Sequence, residues 1–275
     1  MLQLILILSI SQLAFADKEC PYVYNSINYT RSSILTIKGL PTNLAYNPQT
    51  GDLFFTLIDI DSLQDNEVQT KMDQYVLKDN VPILIDNVKG QAAAVDVEQN
   101  KVYIATDKGL NVLNKTLQAN FFSFKDEDII QLFKPKQSDD LYAIFYPENE
   151  VYRIDLKKNE KYVVKKVPCA FIIAVDSDDN IFYECDSRYI KVLLNGFQEP
   201  IEYVGIGKNT ARAINVDNFG RVVLAANDGL YLLNPGNVIP KKLMDLDFTP
   251  SGLAFGSNKN IYVSGSGVIH KFAVC

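Results

Sequence analysis

The amino-acid sequence predicts an all-β chain folded as a six-bladed β-propeller, with four antiparallel strands per blade and the last blade completed by the N-terminal strand. Three observations carry that prediction. A short apolar run, a polar turn and a β-rich run recur six times, as NLAYNPQTGDLFFT, AAVDVEQNKVYIAT, QLFKPKQSDDLYAI, IAVDSDDNIFYEC, INVDNFGRVVLAA and LAFGSNKNIYVSG. The first apolar residues after the turns are Leu53, Val102, Leu141, Ile181, Val222 and Ile261, at intervals of 49, 39, 40, 41 and 39 residues, and a fixed period of this size marks a repeat architecture. Each unit divides into four runs too short for helices, alternating apolar and β-branched residues between Gly, Asn, Asp and Pro, which is the signature of strands and hairpins. RAINVD, RVVLAA, LYLLN and PKKLMDL of the fifth copy show it best. The sixth copy ends at Cys275 after three runs, and the missing one stands at the other end as SILTIKG, Ser33 to Gly39. A solenoid would leave such an end open, whereas a propeller closes it and leaves no exposed edge.

In chain order, residues 1–16 form an apolar run ending in Ala14-Phe15-Ala16 before Asp17-Lys18-Glu19. This reads as a secretory signal peptide, too short for the roughly 20 apolar residues that a bilayer requires. Residues 17–275 carry no linker and are expected to form one secreted domain. Closure of the ring brings Cys20 to Cys275. The first interval is about ten residues longer than the rest, and its excess, around Asp59 to Gln74, is polar and reads as a surface loop. The third strands open on TDKGLNVLN, NDGLYLLN and GSGVIHKF, which place Gly109, Gly229 and Gly267 in one slot, where a turn of positive φ suits glycine. In blade four, Cys169 precedes the inner strand and Cys185 ends its neighbour, so antiparallel pairing makes them the second disulfide. Asn28 in NYT and Asn114 in NKT are glycosylation sequons.

The net charge of −6 is spread without a basic stripe, which argues against a nucleic-acid partner. His270 is the single histidine, in the penultimate β run and far from any unassigned serine or cysteine. A Ser-His-Asp mechanism therefore has no support, and four paired cysteines with one histidine leave too few ligands for zinc. GIGKNT departs from a phosphate loop, with Glu202 where glycine is required and Asn209 in the Ser/Thr slot. DSDDN (Asp176 to Asn180) lies in an inter-strand turn and reads as turn chemistry rather than a calcium loop. Six-bladed lactonases similar to regucalcin and gluconolactonase hold a divalent cation at the channel mouth with acidic and amide side chains at the inner strands. The matching residues here are Thr42, Gln91, Ile129, Phe171, Arg212 and Ser251, with no carboxylate among them, so no metal site is expected.

The same ring suits an organic anion, with Phe171 and Ile129 against a flat ring, Gln91, Thr42 and Ser251 as hydrogen-bonding groups, and Arg212 for a carboxylate. Tyr146, Arg188 and Asp228 follow the second strands as rim candidates. The leader, the six copies, the terminal cysteine pair and segments such as KVYIATDKGLNVLN and NIYVSGSGVIHKFAVC resemble the ommochrome-binding proteins of lepidopteran insects. That resemblance implies a secreted haemolymph chromoprotein, monomeric and off the membrane, whose partner is a small-molecule pigment and whose bound group is an ommochrome chromophore. It implies no enzyme, no catalytic residue and no catalytic cofactor. A metal-dependent lactonase-like hydrolase on the same scaffold is the alternative.

Overall fold

The structure, a computed structural model, describes residues 20–63, 70–86, 88–186 and 188–275. The signal peptide expected at residues 1–16 lies outside them. Antiparallel sheets succeed one another along the chain, each beginning with its inner strand: Leu40–Tyr46, Gly90–Asp96, Asp128–Phe133, Ile172–Val175, Ala211–Val216 and Gly252–Phe255. The inner strands adjoin one another in order, and that of blade six also meets that of blade one.

Blade six is built from both ends of the chain. Its strands Gly252–Phe255, Ile261–Gly265 and Val268–Val274 are followed in space by Ile27–Thr36, paired from Tyr29 opposite Val274 to Thr36 opposite Val268. This corrects the expected start at Ser33, because residues 27–32, mostly polar, are six further residues of strand. A fifth strand, Tyr22–Tyr24, folds back on Ile27–Thr36 and was not foreseen. Cys20 is bonded to Cys275 and Cys169 to Cys185, as the repeat implies. Such bonds belong to an oxidising environment. No helix among the described residues is long and apolar enough to cross a membrane.

Successive side chains of a strand point to opposite faces, so each blade packs against two neighbours. Phe54 joins Val76, Ile85, Val102 and Ile104 between blades one and two, while Phe55 joins Leu44, Leu77, Tyr262 and Ile269 between blades six and one. Comparable clusters fill the junctions of blades two and three, three and four, four and five, and five and six. Six blades share six apolar junctions only in a closed ring; an open row would have five.

The recurrent Asn or Asp after the inner strand explains the turn that follows. Asn47, Asp96, Asp176 and Asp217 are buried, and each accepts backbone N–H groups of its own turn, the Asx device that lets a short polar side chain replace backbone partners. DSDDN is thus a turn, with Asp176 also accepting Asn180 Nδ2 at 2.9 Å. Of the three aligned glycines, Gly109 (φ +117°) and Gly267 (φ +79°) have the expected positive φ. Gly229 does not, and a different constraint acts there: an added Cβ would lie 2.4 Å from the Met244 carbonyl oxygen. Of the long first interval, the described residues form a short 3-10 turn, Ile60–Leu63, after the second strand; the third strand already begins at Met72, inside the expected loop.

Candidate functional site

Four of the inner strands carry β-bulges, between Thr42 and Ala45, Gly90 and Ala92, Ile129 and Gln131, and Ala211 and Ala213. A bulge sets two residues against one and re-aims the side chains beyond it. In blade three the extra residue, Ile130, breaks the alternation, so Ile129 turns into the junction with blade two and is 0% exposed. The expectation that Ile129 faces the channel is corrected accordingly. The same frame places Asp128 at the start of that strand, so the head of the channel does hold a carboxylate, contrary to the sequence reading.

That carboxylate belongs to a network linking blades one to three. Gln91 Nε2 donates to Asp128, Asn43 Nδ2 donates to the Gln91 carbonyl at 2.6 Å, Thr56 Oγ1 to the same carbonyl at 3.0 Å, and Gln131 Nε2 to Asn43 Oδ1 at 3.0 Å. Thr42 Oγ1 donates to the Thr56 carbonyl at 3.3 Å, and Ser251 Oγ to the Pro41 carbonyl at 2.6 Å. Gln91, Thr42 and Ser251 are therefore engaged with the protein itself. Phe171 is 42% exposed and Tyr146 56% exposed, both outside the channel cavity. Arg188 lines a separate depression with Tyr189 and Lys208. Asp228 is held on the outside of blade five by Lys242 Nζ at 2.7 Å and the Tyr231 hydroxyl at 2.9 Å, which keep its carboxyl below the usual range.

Of the residues singled out in the sequence, Arg212 lines the cavity. The bulge at Ala211–Ala213 presents it, and its Nε donates to Asn227 Oδ1 at 2.7 Å. The cavity, about 370 Å³, runs along the axis and is walled by Tyr46, Phe133, Phe255, Ile172 and Ala93. Asn43 and Gln131 lie toward its strand-head end, and Asn215, the penultimate residue of its strand, stands on the wall. Lys134 and Asp96 form a buried pair on its wall, Nζ to Oδ2 3.5 Å, with Lys134 also donating to the Pro135 and Ser138 carbonyls. The aromatic wall residues end their inner strands, where register, which the sequence pattern does not fix, decides whether an aromatic faces the channel or a neighbouring blade.

The head residues do not fit a divalent cation. Asp128 is already bonded to Gln91, Arg212 would repel the ion, and among the described residues the single close group of three metal-ligating side chains is Cys169, Cys185 and Asp186, two of them joined in a disulfide. His270 is half-buried beside Ser33, Oγ to Nδ1 3.4 Å, so a serine does stand near it, contrary to expectation. Burial lowers its pKa, Phe248 packs on its ring, and the nearby Asp247 is held by Arg31 through two hydrogen bonds.

No family model and no curated protein matches this chain. Solved structures do. A gluconolactonase from Xanthomonas campestris superposes with a TM-score of 0.70 at 10% identity, over 92% of this chain and 91% of that one. A luciferin-regenerating enzyme gives a TM-score of 0.60 at 10% identity, over 89% and 95%, and a streptogramin B lyase 0.58 at 10% identity, over 90% and 98%. These likenesses show the six-bladed propeller fold. They also correct the expectation of no enzyme, since the three proteins named share this scaffold and are enzymes, each at 10% identity.

Proposed function

We propose that the chain is a small-molecule propeller of the lactonase-like class, taking a compact organic acid or its cyclic ester in the axial channel. The observation that carries this reading is the axial cavity of about 370 Å³, apolar along its walls and lined toward the strand heads by amides and Arg212. That mixture of apolar lining and few polar groups is typical of small-ligand sites, and a guanidinium matches a carboxylate in shape and charge. The gluconolactonase and the luciferin-regenerating enzyme among the neighbours support turnover within such a channel. Because the head residues do not suit a cation, hydrolysis is expected to survive chelation. Assay of the purified chain on glucono-δ-lactone and dihydrocoumarin, with and without EDTA, tests this: hydrolysis insensitive to EDTA is expected, and no turnover of either ester refutes the catalytic reading.

A second reading, carriage of an ommochrome-type pigment, is favoured by the flat aromatic walls beside Arg212 and by the sequence resemblance. Addition of xanthommatin should shift its visible spectrum on binding; an unchanged spectrum at saturating protein rejects it. Secretion and N-glycosylation at Asn28 and Asn114 belong with this reading; both asparagines are exposed. Asn114 Oδ1 accepts from Thr116 Oγ1 at 2.8 Å within the sequon.

A further inference from the structure

The axial cavity is lined by Val97, Glu98, Pro135, Lys136 and Gln137, all from turns that follow inner strands. Glu98, Lys136 and Gln137 are exposed at this end, and Arg212 is exposed at the other. Among the described residues, none of the loops at the opposite, strand-head end, such as 147–149, 188–189 or 227–228, contributes to its lining. The inner end lies level with Asn43, Gln131, Ile172 and Arg212, where the network of Gln91, Asn43 and Gln131 spans blades one to three.

The polar groups lining the cavity differ in what they can still offer. Asn43 donates to one carbonyl and accepts from Gln131; Asn215 donates to the Leu253 carbonyl at 2.9 Å and accepts the Val216 N–H at 2.8 Å. Gln131 likewise donates to Asn43 and accepts the Leu132 N–H. Lys134 has Asp96 and two carbonyls around its ammonium. Arg212 is engaged at Nε, and among the described residues its two terminal nitrogens meet no acceptor. Midway along the wall stand Tyr46, Phe133 and Phe255, with the Tyr46 ring fixed by stacking on Tyr262 at 5.3 Å.

We propose that the channel is loaded from the turn face, so that a planar aromatic carboxylic acid enters past Lys136, lies between Tyr46, Phe133 and Phe255, and presents its carboxylate to Arg212. This rests on the reading that the channel holds a small organic acid, and it assigns the ring to residues remote from Phe171. Flat apolar walls suit an aromatic body, and Arg212, with its terminal nitrogens open, lies beyond the rings at the far end from the turns, while Lys136 stands at the turn-face entrance.

Fluorescence titration of the full chain with 3-hydroxy-2-naphthoate, a planar aromatic carboxylate, tests the proposal. Phe133→Ala, Phe255→Ala and Arg212→Gln are each expected to weaken binding at least tenfold, while Phe171→Ala and Tyr146→Ala leave it within twofold. Lys136→Trp, at an exposed position that leaves the core untouched, is expected to slow association at least tenfold. Binding lost with Phe171→Ala and kept with Phe133→Ala and Phe255→Ala overturns turn-face loading but spares the channel reading, as does an association rate indifferent to Lys136→Trp. Absence of binding by the unaltered chain overturns both.

Discussion

Asp217 fastens two blades and a chain terminus with one side chain. It is 1% exposed, accepts the Tyr24 hydroxyl at 2.9 Å and Arg221 Nη2 at 2.6 Å, and caps its own turn through Phe219 and Arg221 N–H. Removing it leaves the Tyr24 hydroxyl without its acceptor and Arg221 with Asn25 Oδ1, at 3.1 Å, as its remaining side-chain acceptor. Asp217→Ala is expected to cost about 3 kcal/mol, the lower end for breaking a buried pair because Arg221 keeps some solvent. That corresponds to a fall in Tm of about 6–10 °C by calorimetry, where a shift below ~2 °C would contradict the assignment. The tyrosines give a pH test. Burial, with Asp217 adding its charge, raises the Tyr24 pKa far above normal, and burial lifts Tyr103, Tyr142, Tyr183 and Tyr262 to about 12. A group with a raised folded pKa stabilises the fold fully below its unfolded value, about 10 for tyrosine, and that contribution is lost as pH rises beyond it. The urea midpoint should therefore fall steeply above pH ~10; a comparable fall between about 7 and 9 would point elsewhere. At this scale the sequence was a partial guide. Arg212 could be placed because a cation at a strand head is conspicuous, but the engagement of Gln91 with Asp128, or of Asp228 with Lys242, depends on neighbours that composition does not reveal.

At the scale of elements, periodicity reveals strands well and register badly. The six repeats are legible because each blade must spell the same four strands and the same Asx turn. The bulges are invisible, since an extra residue such as Ile130 between Ile129 and Gln131 looks like any apolar neighbour, yet it turns Ile129 from channel to junction. The third-strand glycines were recognisable, though for Gly229 the reason lay in the adjoining strand. An alanine Cβ at Gly229 would sit 2.4 Å from the Met244 carbonyl, and at Gly109 2.4 Å from the Phe124 carbonyl. Both contacts are with backbone, which cannot swing aside. Gly109→Ala and Gly229→Ala are expected to destabilise by about 2–3 kcal/mol through overpacking. Gly220→Ala, with φ +76° and open space around the site, should cost about 1 kcal/mol from backbone strain alone. Chemical denaturation of the three variants checks the order, which equal costs would refute.

The whole molecule is a ring whose sixth junction makes the fold complete. The bond from Cys20 to Cys275 spans 255 residues and that from Cys169 to Cys185 spans 16. Chain-entropy arguments put these at roughly 5 and roughly 3 kcal/mol, the longer loop contributing more. Replacing both terminal cysteines by serine should thus lower Tm further than replacing the pair in blade four, and the opposite order by calorimetry would argue against a closing role. Closure was legible from the missing last strand, whereas the Tyr22–Tyr24 hairpin was not, being too short to leave a periodic trace. The pairing of Ile27–Thr36 with Val268–Val274 also reaches back to synthesis. A growing polypeptide can assemble five blades as they emerge, but Ile27–Thr36 has no berth until Val268–Val274 leaves the ribosome. Loss of Val268–Val274, by a premature stop or a protease, would consequently orphan Ile27–Thr36 as well.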